Sequence, residues 1–184
     1  MFKSLANRLT FARILVIPPI LLLLIIPHTW AAWLALILFG AAGISDGLDG
    51  YLARRDNQVT RLGQFLDPIA DKLLVSAVIL LLVFTKHIDG LTVIPASIIL
   101  LREVAVSGLR EFLASLRVSV PVNHLAKWKT TIQIFALGFL IMGEYSPESI
   151  PSTQIGDVGL WIAGILTVIT AWDYWRASER HFED

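Results

Sequence analysis

From Ile14 to Ile26 no charged residue interrupts the chain, and only Pro18-Pro19 breaks the row of bulky apolar side chains. With Leu9–Ala12 in front, the run is long enough to cross the roughly 30 Å hydrocarbon core of a bilayer as a helix. Five similar stretches follow: Trp30 to about Arg54, Gly63 to Thr85, Leu91 to about Ala114, Trp128 to Met142, and Ile155 to Trp175. Inside lipid every backbone amide must be satisfied within the chain, which leaves helices as the economical answer for such runs. The expected fold is therefore an all-α integral membrane protein of six transmembrane helices. A short interfacial N-terminal helix should precede them, because Phe2, Leu5 and Leu9 fall at helical spacing. Of 184 residues, 55% are hydrophobic and 16% charged, where a soluble domain carries about a quarter charged. One domain is expected, with residues 1–13 as the interfacial segment, 14–176 as the bundle and 177–184 as a tail. A basic start before an apolar run also fits a signal peptide, but no small-x-small cleavage site follows before Trp33.

Six spans leave both termini on one side, and the basic residues say which. Lys3, Arg8, Arg13, Arg54, Arg55, Arg61, Arg110, Arg117, Lys127, Lys129, Arg176 and Arg180 share a side, against Lys86 alone opposite. The positive-inside rule makes that side cytoplasmic. Trp30, Trp33, Trp128, Trp161, Trp172 and Trp175 cluster near span ends, as interfacial belts do. A formal net charge of zero argues against a nucleic-acid partner reached by bulk electrostatics. The absence of cysteine excludes disulfides, thiolate metal sites and cysteine nucleophiles.

Four carboxylates, Asp46, Asp49, Asp67 and Asp71, fall within 26 positions at the ends of two apolar runs. On helices Asp46 and Asp49 are i and i+3, and Asp67 and Asp71 are i and i+4, so each pair projects from one face. The link from Arg55 to Leu62 is too short for a further helix, which makes the two helix ends antiparallel neighbours. Four acids facing one small volume would drive each other's pKa up unless cations neutralised them. Hard divalent ions with oxygen ligands do so, and a pair of them suits phosphoryl chemistry. A polar contact between helices that happens to carry acids is the plainer alternative.

The full pattern Asp46-x-x-Asp49-Gly50-x-x-Ala53-Arg54-x8-Gly63-x3-Asp67-x3-Asp71 resembles the signature of the CDP-alcohol phosphotransferases, membrane enzymes that transfer a phosphatidyl or similar group from a CDP-linked donor to an alcohol and release CMP. The resemblance implies two Mg²⁺ or Mn²⁺ ions held by Asp46, Asp49, Asp67 and Asp71, with Asp71 also acting as general base. It implies that Gly50, Ala53, Arg54 and Gly63 bind the CDP donor, joined by Thr60 in the link. Asn7, Thr10 and Arg13 are similar to the Asn-x-x-Thr-x-x-Arg that begins the first helix in many relatives, with helix capping plus a positive-inside charge as the alternative. A homodimer in the bacterial inner membrane, with the site on the cytoplasmic side, is likewise implied.

The acceptor must be read from the second half. Arg102 lies inside an apolar span, where an unpaired charge costs roughly 2.5–3.5 kcal/mol and so faces a partner or a wet cavity. Glu103 is adjacent but leaves the helix in another direction, so it need not be that partner. Arg110 is near the same face two turns on, and Lys127 and Lys129 open the fifth helix. Together they would make a cationic pocket for an acceptor that is itself a phosphate ester; plain positive-inside anchoring is the alternative for Arg110, Lys127 and Lys129. The stretches around Arg102–Glu111 and Lys127–Gln133 resemble the phosphatidylglycerophosphate synthase branch, which implies sn-glycerol 3-phosphate as acceptor and CDP-diacylglycerol as donor. Three rival readings stand beside it. One is another acceptor such as inositol phosphate or serine, another a small ion or proton-coupled transporter using intramembrane acids, and the third a catalytically idle homologue.

Overall fold

A computed structural model of the chain describes residues 5–55, 61–116, 118 and 124–179. Its elements are helical: α1 (Leu5–Ile25), α2 (Thr29–Arg55), α3 (Arg61–Phe84), α4 (Val93–Ser115), α5 (His124–Met142) and α6 (Ser152–Glu179), with 3-10 turns at Gly90–Thr92 and Gly143–Tyr145. Each helix coincides with one of the apolar runs. The described part of the expected interfacial segment, from Leu5 to Arg13, is continuous with α1. By length and hydropathy, the stretches Gly90–Ser115 and Ser152–Glu179 can cross a membrane, and Thr10–Ile25 and Thr29–Ser45 are shorter apolar helices.

The helices close around one another in the order α1, α2, α5, α6, α4, α3, with α3 also touching α5. Ile20, Phe39, Ile79, Leu137, Leu140 and Leu160 meet in the centre and are almost wholly covered. The outside is as apolar as the inside. Phe84, Leu101, Val104 and Phe135 all stand exposed, Val104 at 73%. A water-soluble bundle reserves such residues for its core, whereas in lipid an apolar flank costs nothing.

Where burial supplies no driving force, close backbone packing holds helices together. The glycines of α6 do this work. A Cβ on Gly156 would stand 2.5 Å from Leu140 Cγ, one on Gly159 2.9 Å from Ala136 Cβ, and one on Gly164 2.9 Å from Pro95 Cβ. Thus α6 is seated against α5 on one side and α4 on the other. At the end of the bundle away from the four aspartates, Gly143 (φ +45°) lets the α5–α6 connection lie against the His87 ring, whose Nδ1 is 2.8 Å from Thr85 Oγ1. Burial holds the His87 pKa below its usual value against the opposing pull of Glu144.

Gly159→Leu should overpack the α5–α6 contact and cost about 1–3 kcal/mol, read as a lowered denaturation midpoint in detergent. Gly108, with open space where its Cβ would stand, supplies the control: Gly108→Ala should leave the midpoint unchanged or slightly raised.

Candidate active site

Asp46 and Asp49 lie in the last turns of α2, with Gly50, Ala53 and Arg54 after them. Gly63, Asp67 and Asp71 lie in the first turns of α3. The five residues between Arg55 and Arg61 can span at most about 20 Å, so the two helix ends stay close, and both helices pack on α1. For Asn7, Asp46, Asp49, Gly50, Ala53, Arg54, Gly63 and Asp67 only the helical backbone belongs to the described structure. Thr60 lies outside the described residues. Pro68 is the eighth residue of α3 and sits between the two aspartates of the pair. There its missing amide hydrogen takes the donor from the Gln64 carbonyl, a cost that a first-turn proline avoids.

Asp71 is the aspartate whose side chain can be placed. Its Oδ1 accepts a hydrogen bond from Arg13 Nη1 of α1 at 2.6 Å. Arg13 is buried, 1% exposed, and Asp71 is half-exposed at 46%. Thr10, one turn before Arg13 and buried too, lies on the same part of α1. The structure therefore brings the Arg13 of the first helix to the last aspartate of the motif, across 58 positions of sequence. A guanidinium so placed makes a charge-assisted hydrogen bond that fixes the orientation of one carboxylate oxygen. Among the described residues no group of three or more His, Cys, Asp or Glu side chains gathers as a metal centre. The donor set the backbone offers, four carboxylates on two adjoining helix ends, has the hard oxygen chemistry that Mg²⁺ and Mn²⁺ take.

The four cations of the second half are not gathered into one cluster. Glu103 Oε1 accepts from Arg102 Nη1 at 3.2 Å and also from Lys129 Nζ of α5. Arg102 Nη2 reaches Thr170 Oγ1 of α6 at 3.3 Å. Arg110 instead lies over the Tyr174 ring of α6, 5.9 Å from its centroid, a cation–π distance. Lys127 is exposed. Although Glu103 leaves the helix in another direction, it is one of the partners of Arg102: both side chains are long, and their head groups meet.

Sequence reasoning passed over several residues that the fold assembles around this pair. Lys72, next to Asp71, bonds to Ser107 Oγ one turn beyond Glu103. Gln133, one turn beyond Lys129, is 3% exposed, and its Oε1 has no hydrogen-bond partner among the described residues; the same holds for Arg102 Nε. The i, i+4 pairs Glu103/Ser107 and Lys129/Gln133 were a usable signal, since each puts two polar groups on one face of an apolar helix. The result is a polar layer running from Arg13 and Asp71 through Lys72 and Ser107 to Glu103, Lys129, Arg102 and Thr170. On another side of the bundle α2 and α5 enclose an apolar groove of about 520 Å³, lined by Phe39, Gly40, Gly43, Ile134, Phe135 and Gly138 among others.

The model of a family described as CDP-alcohol phosphatidyltransferase matches residues 3–170. A Rickettsia felis protein named CDP-diacylglycerol--glycerol-3-phosphate 3-phosphatidyltransferase is 48% identical over 180 residues, covering 98% of either chain. A Bacillus subtilis protein of the same name is 40% identical over 187 residues, covering 95% of each. One from Shigella flexneri, again so named, is 39% identical over 166 residues, covering 89% of this chain and 87% of its own.

Because Glu103 and Lys129 form a buried pair, their substitutions should not add. Glu103→Gln, Lys129→Met and the double variant, measured by unfolding in mixed micelles, should give a coupling of about 0.5–3 kcal/mol. Additivity within about 0.5 kcal/mol would dissolve the pair.

Proposed function

Because the chain belongs to the CDP-alcohol phosphatidyltransferase family, we propose that it transfers the phosphatidyl group of CDP-diacylglycerol to sn-glycerol 3-phosphate, giving phosphatidylglycerol phosphate and CMP. The observation that carries this reading is identity of 48% along nearly the whole chain with a relative named for that reaction. The family generally uses divalent metals.

The primary hydroxyl of glycerol 3-phosphate attacks the β-phosphorus of the donor, the one bearing diacylglycerol. An O–P bond forms as the bond to the bridging oxygen breaks, and CMP leaves with that electron pair. Asp71 accepts the hydroxyl proton, a role open to a half-exposed carboxylate whose one oxygen Arg13 orients. Asp46, Asp49, Asp67 and Asp71 would hold two divalent ions, Mg²⁺ or Mn²⁺, whose chemistry there is to neutralise the diphosphate and the departing CMP. Gly50 and Ala53, small residues on the acid-bearing face of α2, leave room for the cytidine. Arg54 and Gly63, with Asn7, Thr10 and Thr60, complete the donor site, and Arg13 adds its charge. The groove between α2 and α5 has an apolar lining that suits an acyl chain. Arg102 and Lys129 carry the acceptor's phosphate in the polar layer, with Arg110 and Lys127 on its approach.

The proposal includes six membrane spans within a single domain, residues 1–184, in the bacterial inner membrane. The exposed apolar flanks support the spans, and the excess of basic residues at one end supports cytoplasmic termini and a cytoplasmic site. The homodimer rests on the family resemblance.

Asp71→Asn should lower kcat by about 10²–10⁴-fold in an assay with labelled glycerol 3-phosphate while the protein still extracts folded. Near-normal turnover would remove Asp71 as base. Excess chelator should stop CMP release from purified enzyme, and Mg²⁺ or Mn²⁺ should restore it; full activity in chelator would sink the two-metal reading.

A further inference from the structure

Three cations and one carboxylate meet on the inner side of α4. Glu103 accepts from both Arg102 and Lys129. Lys72 lies within electrostatic reach of the same carboxylate and is tied to Ser107. The Asp71 beside Lys72 is already matched by Arg13. Lys129 is 3% exposed, Arg102 15% and Glu103 19%. Among the described residues, the formal charges of Lys72, Arg102, Lys129 and Glu103 leave an excess of two positive charges in this part of the bundle. A buried charge without its counter-charge is strongly destabilising. Two polar atoms are also unmet among the described residues, the Nε donor of Arg102 itself and the Oε1 acceptor of Gln133, one helical turn from Lys129. Excess charge together with an unused donor and acceptor marks the seat of an anionic ligand bearing a hydroxyl group.

Resting on the reaction proposed above, we propose that Glu103 is a specificity-determining residue of the acceptor site: by cancelling one of three cations it sets the site at two positive charges, the match for a phosphate monoester dianion. Such a group carries about −1.5 to −2 at neutral pH. With it bound, Lys72, Arg102 and Lys129 stand against Glu103 and the phosphate, and the charges cancel. A phosphodiester with one negative charge would leave a cation unmatched, and an uncharged alcohol would leave two.

The test uses full-length enzyme in detergent with CDP-diacylglycerol and a divalent metal, following CMP release at pH 8. Glu103→Gln removes a negative charge that repels the acceptor, so the KM for glycerol 3-phosphate should fall by about tenfold. Inhibition by inorganic phosphate should tighten in parallel, and the KM for the donor should stay put. Glu103→Asp, which keeps the charge, should remain within about threefold of the wild type on each measure. A purely structural role would change extractable yield and leave the ratio of the two KM values alone. An unchanged or raised KM for glycerol 3-phosphate in Glu103→Gln overturns the proposal, as does an equal shift in Glu103→Asp. Should Glu103→Gln not fold, the wild type still decides: inorganic phosphate should inhibit at least about tenfold more tightly than the monoanion dimethyl phosphate, and equal inhibition overturns the charge match. Wild-type enzyme that releases CMP with some other alcohol and not with glycerol 3-phosphate would fail the proposed reaction. Turnover of glycerol 3-phosphate with no response to Glu103→Gln fails this inference alone.

Discussion

The carboxylate of Glu103 stands on a helix whose outer surface, at Leu101 and Val104, is apolar and exposed. It can be there because Lys129 and Arg102 reach it from either side, and they can be there because it meets them. Charge in a low-dielectric interior is costly without partners, so the described ionised side chains reach for partners on neighbouring helices. Arg13 commits Asp71 across α1 and α3, Lys129 commits Glu103 across α5 and α4, and Arg102 adds Thr170 on α6. These contacts set where α1, α3, α4, α5 and α6 stand along one another, which non-directional apolar packing alone would leave loose. The same pairing aligns the groups assigned to the donor's chemistry with those assigned to the acceptor.

Around this layer the bundle is held by shape. Gly156, Gly159 and Gly164 bring α6 into backbone contact with α5 and α4. Gly40 and Gly43 act differently, because on α2 they line the open groove beside α5. Missing side chains thus close one side of the bundle and open another. That difference suits the donor proposed above, which carries long apolar chains.

Much of this was legible in the chain. The apolar runs gave the helices to within a few residues, because period and hydropathy are local properties. The spacing of Asp46, Asp49, Asp67 and Asp71 gave a motif specific enough to point to one family. The pairings of the polar layer were less legible. Glu103 sits next to Arg102 in sequence, and side-chain direction argued against their meeting; it took a third group, Lys129 on another helix, to draw both head groups together. Lys72 carried no signal of its own in the sequence, and its bond to Ser107 exists only because α3 packs on α4. The bond between Arg13 and Asp71 joins residues 58 positions apart, and Arg13 by itself read equally well as a positive-inside anchor.

The sequence by itself determined that the chain would be helical, that its surface would be apolar and that its acids would end two adjoining helices, because each of these follows from hydrophobic period and local spacing. Only the tertiary structure decided which cation meets which carboxylate, which glycines pack and which line a groove, and that among the described residues Gln133 and Arg102 keep unmet polar atoms beside a surplus of positive charge. The reason is that an ion pair or a close helix contact depends on how separate helices turn and slide against one another, and that arrangement is settled by all of them together.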